Sequence, residues 1–202
     1  MENAKRLETR LILGRRCRLF REFHITWLNR SFAIYFMNNP TSKIMDAGQA
    51  RAFRDRLQAE GKRVAFTNGC FDILHRGHVT YLQFARDQAD ALCLGLNSDV
   101  SVKRNKGENR PINSEVDRAF VMASLAAVDC VVIFDENEPR DLIAKILPQV
   151  LIKGRDWAHY VSGRDVVEAN GGAVVLADMV EGKSTTSTIE KVLSVYGNMI
   201  KP

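Results

Sequence analysis

Short apolar runs alternate with amphipathic stretches along most of the chain. Five runs of mainly apolar residues are typical of buried strands, and the stretches between them repeat apolar residues at helical spacing. The strands are predicted at residues 63–67, 91–96, 131–134, 150–152 and 173–177. Strands that alternate with helices in this way predict a parallel sheet covered on both faces. The expected fold is a single Rossmann-like α/β domain with a five-stranded parallel sheet, whose ligands bind at the carboxyl ends of the strands.

The helices between these strands carry recognisable start and stop signals. Asp46 is an N-cap candidate for a helix that ends near Glu60, just before Gly61. Further helices are predicted over residues 77–88, 139–147 and 166–170 and from about residue 184 onward. These helices supply the crossovers that parallel strands need.

The chain between residues 103 and 125 is predicted as a charged loop followed by a helix. Residues 103–112, KRNKGENRPI, are polar and basic and are interpreted as the loop. Ser114 and Asp117 are expected to form a capping box at the start of the helix. Its apolar face is expected to hold Val116, Phe120, Met122 and Leu125.

The net charge of +5 lies in the first 36 residues. Residues 1–36 hold 8 Lys or Arg and 3 Asp or Glu, whereas residues 37–202 hold 21 basic and 21 acidic residues. This balance argues against a general nucleic-acid binder, because such domains carry a basic face of their own. Residues 1–36 are interpreted as a basic extension that is dispensable to the fold of residues 37–202. A membrane-surface or RNA-binding arm, a transit-peptide-like leader and sequence upstream of the real start are the alternatives for this segment.

Membrane-spanning segments and cysteine-based sites are not indicated. No apolar run approaches the roughly 20 residues that cross a bilayer. The four cysteines, Cys17, Cys70, Cys93 and Cys130, are widely spaced and include no CxxC pair. This spacing argues against a zinc site or a disulfide framework and favours a reducing, cytoplasmic setting without a membrane partner.

Two histidines mark a candidate site in the stretch FTNGCFDILHRGHVTYL, residues 66–82. His75 and His78 lie three residues apart at a helix start, so both imidazoles share one face. Gly77 lets a ligand approach the backbone, and the free N–H groups and positive dipole end of a helix start bind anions. More backbone N–H groups are expected in the preceding turn, at Asn68, Gly69, Cys70 and Phe71. Such a phosphate cradle with two imidazole donors suits attack on the α-phosphorus of a nucleoside triphosphate.

Two other interpretations apply to an isolated HxxH pair. The histidines can be capping or packing residues that contact no ligand. A metal-binding pair is disfavoured, because no third His or Cys has a suitable spacing.

The run GCFDILHRGH after a predicted strand resembles the signature of the nucleotidyltransferase superfamily, whose HxGH motif binds and activates nucleoside triphosphates. The likeness extends over about residues 41–195 and is closest to the family of D-glycero-β-D-manno-heptose 1-phosphate adenylyltransferases. It is carried by the stretches FTNGCFDILHRGHVTYL, LNSDVSVKRNKGENRPIN, DRAFVMASLAAVDCVV, LIKGRDW and VEGKSTTS. That activity occurs as one half of a bifunctional kinase/adenylyltransferase and as a free-standing protein. A chain of 202 residues without a sugar-kinase domain is expected to be the free-standing version.

The resemblance implies phosphate-binding roles for basic residues after the second strand. Lys106 matches the family's loop lysine and is expected to act in catalysis by closing over the triphosphate. Lys103 and Arg110 are expected to bind phosphate groups as well. From the residues alone, a solvated charged loop and, for Arg110, a surface salt bridge are the alternatives.

A Ser/Thr-rich helix start near the end of the chain matches the second signature of the superfamily, which faces the HxGH motif. Its residues are Ser184, Thr185 and Thr186, next to Lys183. We expect them to bind the nucleotide, although most such clusters serve only as helix caps. The KGRDW segment is expected near the nucleotide or the sugar, with Lys153 in contact with substrate. Arg155 departs from the family pattern, which usually has a small residue at that position.

Asp72 and Asp99 are the carboxylates expected nearest the substrates. Asp72 is expected to hold Mg²⁺ through water, to orient the His75 region or to cap the turn that follows it. Mg²⁺ is expected to arrive bound to the triphosphate, so no direct protein ligand is predicted.

The combined prediction is transfer of AMP from ATP to D-glycero-β-D-manno-heptose 1-phosphate, which yields ADP-heptose and pyrophosphate. The alternatives with the same chemistry are GTP with this sugar phosphate and CTP with glycerol 3-phosphate. Cytidylyltransferases of the superfamily tend to carry an arginine–aromatic pair where this chain has Ala126 and Ala127, which counts against CTP. A non-catalytic nucleotide- or RNA-binding protein that uses residues 1–36 is a more distant alternative. The resemblance also implies small-molecule substrates, no nucleic-acid partner and a homo-oligomer, with a dimer favoured.

Overall fold

The sheet follows from the apolar runs of the sequence. The computed structural model describes residues 39–178 and 180–197. Five strands lie in one parallel sheet in the order β3-β2-β1-β4-β5. They are β1 (Val64–Gly69), β2 (Ala91–Asn97), β3 (Cys130–Phe134), β4 (Val150–Gly154) and β5 (Ala173–Ala177). The predicted fold class and the five-stranded parallel sheet are confirmed.

The strand order reverses beside β1, which pairs with β2 on one side and with β4 on the other. In parallel α/β sheets, ligands bind outside the carboxyl ends of the strands at such a reversal. Asn68 and Gly69 end β1, and Lys153 and Gly154 end β4. The topology therefore brings these four residues to the expected ligand-binding edge of the sheet.

Helices cover both faces of the sheet, as the long apolar strands require. They are α1 (Ala47–Ala59), α2 (Arg76–Asp87), α3 (Asp99–Lys106), α4 (Glu115–Ala123), α5 (Arg140–Ile146), α6 (Arg164–Ala169) and α7 (Thr185–Tyr196), with short 3₁₀ turns at Pro40–Lys43 and Arg155–Trp157. One side of the core buries Leu82 of α2 and Met122 of α4. The other side buries Ala50 of α1, Ile143 of α5 and Val167 of α6.

The start of α1 shows how closely a local signal can fix a helix end. Asp46 is the N-cap, and its carboxylate accepts a hydrogen bond from the backbone N–H of Gln49 at 2.8 Å. The Gln49 side chain accepts in return from the backbone N–H of Asp46 at 3.0 Å. The predicted cap is confirmed, because both ends of this capping box satisfy N–H groups that the helix cannot.

The prediction of a loop over the whole of residues 103–112 is wrong, because its first four residues belong to α3. Ser98 caps this helix by accepting from the backbone N–H of Ser101 at 3.1 Å, and Val102 is fully buried. Lys103, Arg104 and Lys106 lie in the last turn, where cations meet the negative end of the helix dipole. Gly107, with a φ of 96°, ends the helix in a conformation that favours glycine.

The predicted capping box and apolar face of α4 are wrong in part. Ser114 accepts from the backbone N–H of Asp117, but the Asp117 carboxylate accepts from the Ser114 hydroxyl instead of from its backbone. Val116 and Phe120 are 69% and 49% exposed. The buried residues are Arg118, Ala119, Met122 and Ala123. The helix is rotated from the expected face because Arg118, although charged, finds buried acceptors.

Two of the cysteines are close in space although 37 positions separate them. Cys93 of β2 and Cys130 of β3 are paired across the sheet, with their Sγ atoms 3.3 Å apart and both side chains buried. Both are free thiols, as is Cys70. Cys93 and Cys130 thus serve as small apolar core residues.

Some predictions fall outside the described residues. These are the basic extension of residues 1–36, the boundary at residue 37 and any role of Cys17. Within residues 39–178 and 180–197, no helix is both long and apolar enough to cross a membrane.

Candidate active site

A cavity of about 630 Å³ opens at the carboxyl ends of β1 and β4. Its wall includes most of the residues predicted from the sequence. These are Asn68, Gly69, Cys70, Phe71, Asp72, His75, Gly77, His78, Lys106, Arg110, Lys153, Lys183, Ser184, Thr185 and Thr186. Asp99 and Lys103 do not line it. Segments far apart in the sequence therefore meet around one cavity, at the edge that the topology predicts.

The two histidines stack on each other at the start of α2. Their ring centroids are 3.7 Å apart and the ring planes differ by 20°. His75 is the N-cap, and its Nδ1 accepts from the backbone N–H of His78 at 3.3 Å. Phe71, with its ring centroid 5.1 Å from that of His78, packs against the pair. His75 thus caps the helix, which is one of the roles that an isolated HxxH pair can have. Both imidazoles nevertheless also line the cavity.

The environment keeps both imidazoles neutral near pH 7. Burial, together with the neighbouring His75, lowers the pKa of His78 to about 4. Burial and the nearby Lys183 also lower the pKa of His75. Nδ1 of His78 is buried and has no hydrogen-bond partner of ordinary geometry among the described residues. A neutral imidazole still donates through one N–H, so the pair can donate to an anion without repelling the cations around it.

Gly77 allows the start of α7 to lie against the histidine motif. A Cβ atom at this position would lie 3.0 Å from the His75 ring and 3.2 Å from Cβ of Lys183. Ser184 caps α7 by accepting from the backbone N–H of Ser187 at 3.0 Å. The N-termini of α2 and α7 therefore both border the cavity, and each offers free N–H groups to an anion.

Asp72 organises the wall of the cavity by binding a segment about 40 residues further along the chain. Its carboxylate accepts from Nε of Arg110 at 2.7 Å and from the backbone N–H groups of Ile112 at 2.8 Å and Asn113 at 2.9 Å. Burial raises the pKa of this carboxyl, but these two N–H groups and the guanidinium outweigh burial and lower it. The side chain is 0% exposed, and its hydrogen bonds reach residues 110–113 instead of the turn that directly follows Asp72.

Sequence reasoning missed Arg118, which does not line the cavity but supports residues that do. Its guanidinium is fully buried and donates to the backbone carbonyls of Asn113, Cys70 and Asn97 and to the carboxylate of Asp99, over 2.7–3.0 Å. Asp99, predicted to bind substrate, instead holds this arginine. The signal for Arg118 was a charged residue on the buried face of α4. It was overlooked because a different face of the helix was expected to be buried.

Lys153 lies at the strand reversal, as predicted. Its ammonium donates to Oδ1 of Asn68 at 2.7 Å and lies 5.7 Å from the centre of the Trp157 ring. Burial lowers the pKa of Lys153. Arg155, the departure from the family pattern, turns away from the cavity wall and pairs with Asp178 at 2.5 Å. Its guanidinium is thus on the surface and its side chain is 60% exposed.

Other lining residues carried no recognised signal. The hydroxyl groups of Tyr81 and Thr67 share a hydrogen bond of 2.7 Å, in which either can be the donor. Burial raises the pKa of the Tyr81 hydroxyl to about 12. Glu138, Tyr160 and Ser162 form a second polar group on the cavity wall. They come from two loops far apart in the chain, so no local motif reveals them. Among the described residues, no group of three or more His, Cys, Asp or Glu is placed to hold a metal ion.

Comparison with known proteins gives a family, relatives and structural neighbours. A family model described as cytidylyltransferase-like matches residues 66–191, a range that holds every predicted site residue. A protein named bifunctional protein HldE from Mesorhizobium japonicum is 52% identical over 164 residues, which are 79% of this chain and 33% of that protein. The protein of the same name from Geobacter sulfurreducens is 55% identical over 141 residues, 69% of this chain and 29% of its own.

The chain thus spans about a third of the length of these relatives. Among solved structures, a lipopolysaccharide core biosynthesis protein from Thermoplasma volcanium is 25% identical, with a TM-score of 0.50. The match covers 61% of this chain and 100% of that one.

Proposed function

The chain belongs to the cytidylyltransferase-like family, and we propose that it transfers the adenylyl group of ATP to D-glycero-β-D-manno-heptose 1-phosphate. The products are ADP-heptose and pyrophosphate. The observation that carries the proposal is the stacked pair of neutral imidazoles, which shares one cavity with two helix N-termini and with Lys106 and Arg110. The sequence likeness to heptose 1-phosphate adenylyltransferases supports the choice of nucleotide and acceptor.

The proposed reaction is a single in-line displacement. A phosphate oxygen of the sugar 1-phosphate forms a bond to the α-phosphorus of ATP. The bond from that phosphorus to the α,β-bridging oxygen breaks, and pyrophosphate leaves with the electron pair. The acceptor is already an anion, so no general base is required. Mg²⁺ enters as part of the MgATP substrate.

The residues of the cavity stabilise the negative charge that builds up on the phosphate oxygens during this step. His75 and His78 donate N–H groups to non-bridging oxygens of the α-phosphate, where negative charge builds up in the transition state. Lys106, at the end of α3, and Arg110 hold the β- and γ-phosphates and neutralise the leaving pyrophosphate. Ser184 and the N–H groups of the first turn of α7 bind the remaining phosphate oxygens.

The proposal is tested by pyrophosphate release from the full chain with heptose 1-phosphate, Mg²⁺ and, in separate reactions, ATP, GTP, CTP or UTP. ATP is expected to give the highest turnover, and the alternatives with GTP or CTP are decided in the same panel. His78→Ala is expected to lower kcat by about 100-fold or more, since it removes a donor to the transition state. His159→Ala is the matched control, because this exposed histidine does not line the cavity. Equal rates in both variants, or no turnover with any nucleotide, would count against the proposal.

Two predictions stay predictions beside this function. The RNA-binding alternative rests on residues 1–36, which lie outside the described part of the chain. Pyrophosphate release by a chain that starts at Met37, at the rate of the full chain, would argue against a required role for that segment. The homodimer implied by the resemblance requires a measurement of mass in solution.

A further inference from the structure

One part of the cavity wall carries a carboxylate and hydroxyl groups instead of cations. Oε2 of Glu138 accepts hydrogen bonds from the Tyr160 hydroxyl at 2.7 Å and from the Ser162 hydroxyl at 3.0 Å. We call these three residues the Glu138 cluster, and all three line the cavity. The steps proposed above use none of them.

The protein fixes this cluster from two sides. Glu138 lies in the loop between β3 and α5, directly before the buried Pro139. Tyr160 and Ser162 follow the 3₁₀ turn after β4, and Ser162 is 5% exposed. The two hydrogen bonds join these loops and orient the carboxylate, while the Glu138 and Tyr160 side chains remain exposed and accessible to a ligand. A preformed group of this kind loses little entropy when it binds.

The charge of the cluster excludes phosphate and favours hydroxyl donors. Glu138 and Asp156 are carboxylates that line the cavity, and carboxylates repel phosphate oxygens. Oε1 of Glu138 accepts no hydrogen bond from the described residues, so it can accept from a ligand. Three cationic residues, Lys106, Arg110 and Lys183, belong to other segments of the wall. The fourth, Lys153, is close enough to interact with Glu138 and Asp156, and its ammonium already donates to Asn68. Polyphosphate is therefore directed to those segments, and a neutral, hydroxyl-rich group to the Glu138 cluster.

The cluster suits a sugar better than a nucleobase. A carboxylate flanked by two hydroxyls places several acceptors close together, which matches neighbouring hydroxyls on one ring. Adenine offers a single exocyclic amine in comparison. The ribose of ATP also carries two neighbouring hydroxyls, so the KM for ATP is the measurement that separates the two sugars. The hydrogen bond to Glu138 also raises the pKa of Tyr160, so its hydroxyl stays protonated and keeps its role in the cluster.

We propose that Glu138, supported by Tyr160 and Ser162, binds hydroxyl groups of the acceptor sugar and selects a polyhydroxylated sugar 1-phosphate over a simpler phosphate. This inference rests on the proposed function and assigns the acceptor side of that same site. Glu138 is a specificity-determining residue that contacts the substrate away from the reacting phosphorus. Tyr160 and Ser162 position its carboxylate.

The test compares Glu138→Gln with Glu136→Gln, an exposed neighbour in the same loop that does not line the cavity. Glu138→Gln is expected to raise KM for heptose 1-phosphate by about ten- to a hundredfold, because a charged acceptor of ligand hydroxyls is lost. KM for ATP is expected to stay within about twofold, since the variant leaves the cationic segments intact. Tyr160→Phe is expected to raise the acceptor KM by a smaller factor, and Glu136→Gln to change neither constant.

Each other outcome has a definite meaning. Unchanged acceptor KM in Glu138→Gln, or a rise in the KM for ATP instead, would overturn the inference while leaving the proposed function in place. No turnover by the wild-type chain would count against the proposed function. In that case, calorimetric titration with α,β-methylene-ATP decides the inference separately. Loss of nucleotide affinity in Glu138→Gln would assign the cluster to the nucleotide and overturn the inference. Unchanged nucleotide affinity together with weaker binding of heptose 1-phosphate would support it.

Discussion

Two arginines near the cavity make ion pairs of the same length but serve different ends. Arg110 pairs with Asp72 and Arg118 pairs with Asp99, both at 2.7 Å. Arg118 is 0% exposed in its side chain, and all its nitrogens donate to protein acceptors. Arg110 is 16% exposed and uses only Nε within the described residues. The Arg118 guanidinium therefore stabilises the fold, while Arg110 keeps its two Nη atoms available for a ligand.

This difference shows why charge type alone does not identify a binding residue. Both arginines support the same segment, because Arg118 binds the carbonyl of Asn113 while Asp72, which Arg110 contacts, binds its N–H. What separates them is the number of donors left over. A guanidinium whose three nitrogens all donate to protein acceptors contributes to stability, and one with two free nitrogens contributes to anion binding.

The largest expected effect is on stability, from Arg118→Met. The change leaves three backbone carbonyls, of which that of Asn97 is buried, and the Asp99 carboxylate without their partner, so we expect a loss of about 3–5 kcal/mol in the free energy of unfolding. Urea denaturation measures this loss. Arg63→Met is the control, because this arginine is exposed and its side chain makes no hydrogen bond within the described residues. Similar midpoints for the two variants would mean that Arg118 is not the structural arginine of the pair.

Arg110→Met is expected to impair ATP binding more than stability, the opposite of what is expected for Arg118→Met. KM for ATP should rise by about tenfold or more, because a charged donor to phosphate is lost. The free energy of unfolding should fall by only about 1–2 kcal/mol, since two backbone N–H groups still bind Asp72. Initial-rate kinetics and urea denaturation of the same preparation give both numbers. A fall in stability as large as that of Arg118→Met, with unchanged KM, would remove the distinction between the arginines.

The histidine pair differs from the arginines, because the protein lowers the pKa of both imidazoles and so disfavours their charged form. His78 has a pKa of about 4 when folded and 6.5 as its ordinary value. Between these values the unfolded chain binds a proton that the folded chain does not, so stability falls as pH drops from about 6.5 to 4. His78→Gln should flatten this slope, and His159→Gln, at an exposed position, should preserve it. Thermal melting from pH 4 to pH 7.5 measures the slopes, and an equally steep slope in His78→Gln would show that another group is responsible.

Local signals in the sequence predicted much of the fold. The Asp46 cap and the five apolar runs depend on neighbours a few residues away, and each appears close to its expected position. The strand at residues 150–152 proved longer and reaches Gly154, because Lys153 remains in register with β5 while its side chain enters the cavity. Strand length was thus missed where a functional polar residue ends an apolar run.

The candidate site was predictable only in its local motif. His75, Gly77 and His78 lie within four positions, so the helix start that presents them is visible in the sequence. Three of the four partners of Arg118 lie 19 to 48 positions away, and the partners of Glu138 lie 22 to 24 positions away. Only the folded sheet brings these distant partners together. Asp99 was assigned to substrate for the same reason, since its partner on α4 could not be foreseen.

The smallest expected effect separates a helix cap from a ligand site at the start of α7. Ser184→Ala and Ser114→Ala each remove an N-cap hydroxyl, and each should lower the free energy of unfolding by about 1 kcal/mol. Only Ser184 lines the cavity, so only Ser184→Ala should also raise KM for ATP, by about two- to tenfold. Paired urea denaturation and ATP kinetics measure both effects. Equal losses of stability with no change in either KM would reduce the Ser184–Thr186 cluster to a cap, and would leave Arg110 and Lys106 as the groups outside the histidine motif that bind the triphosphate.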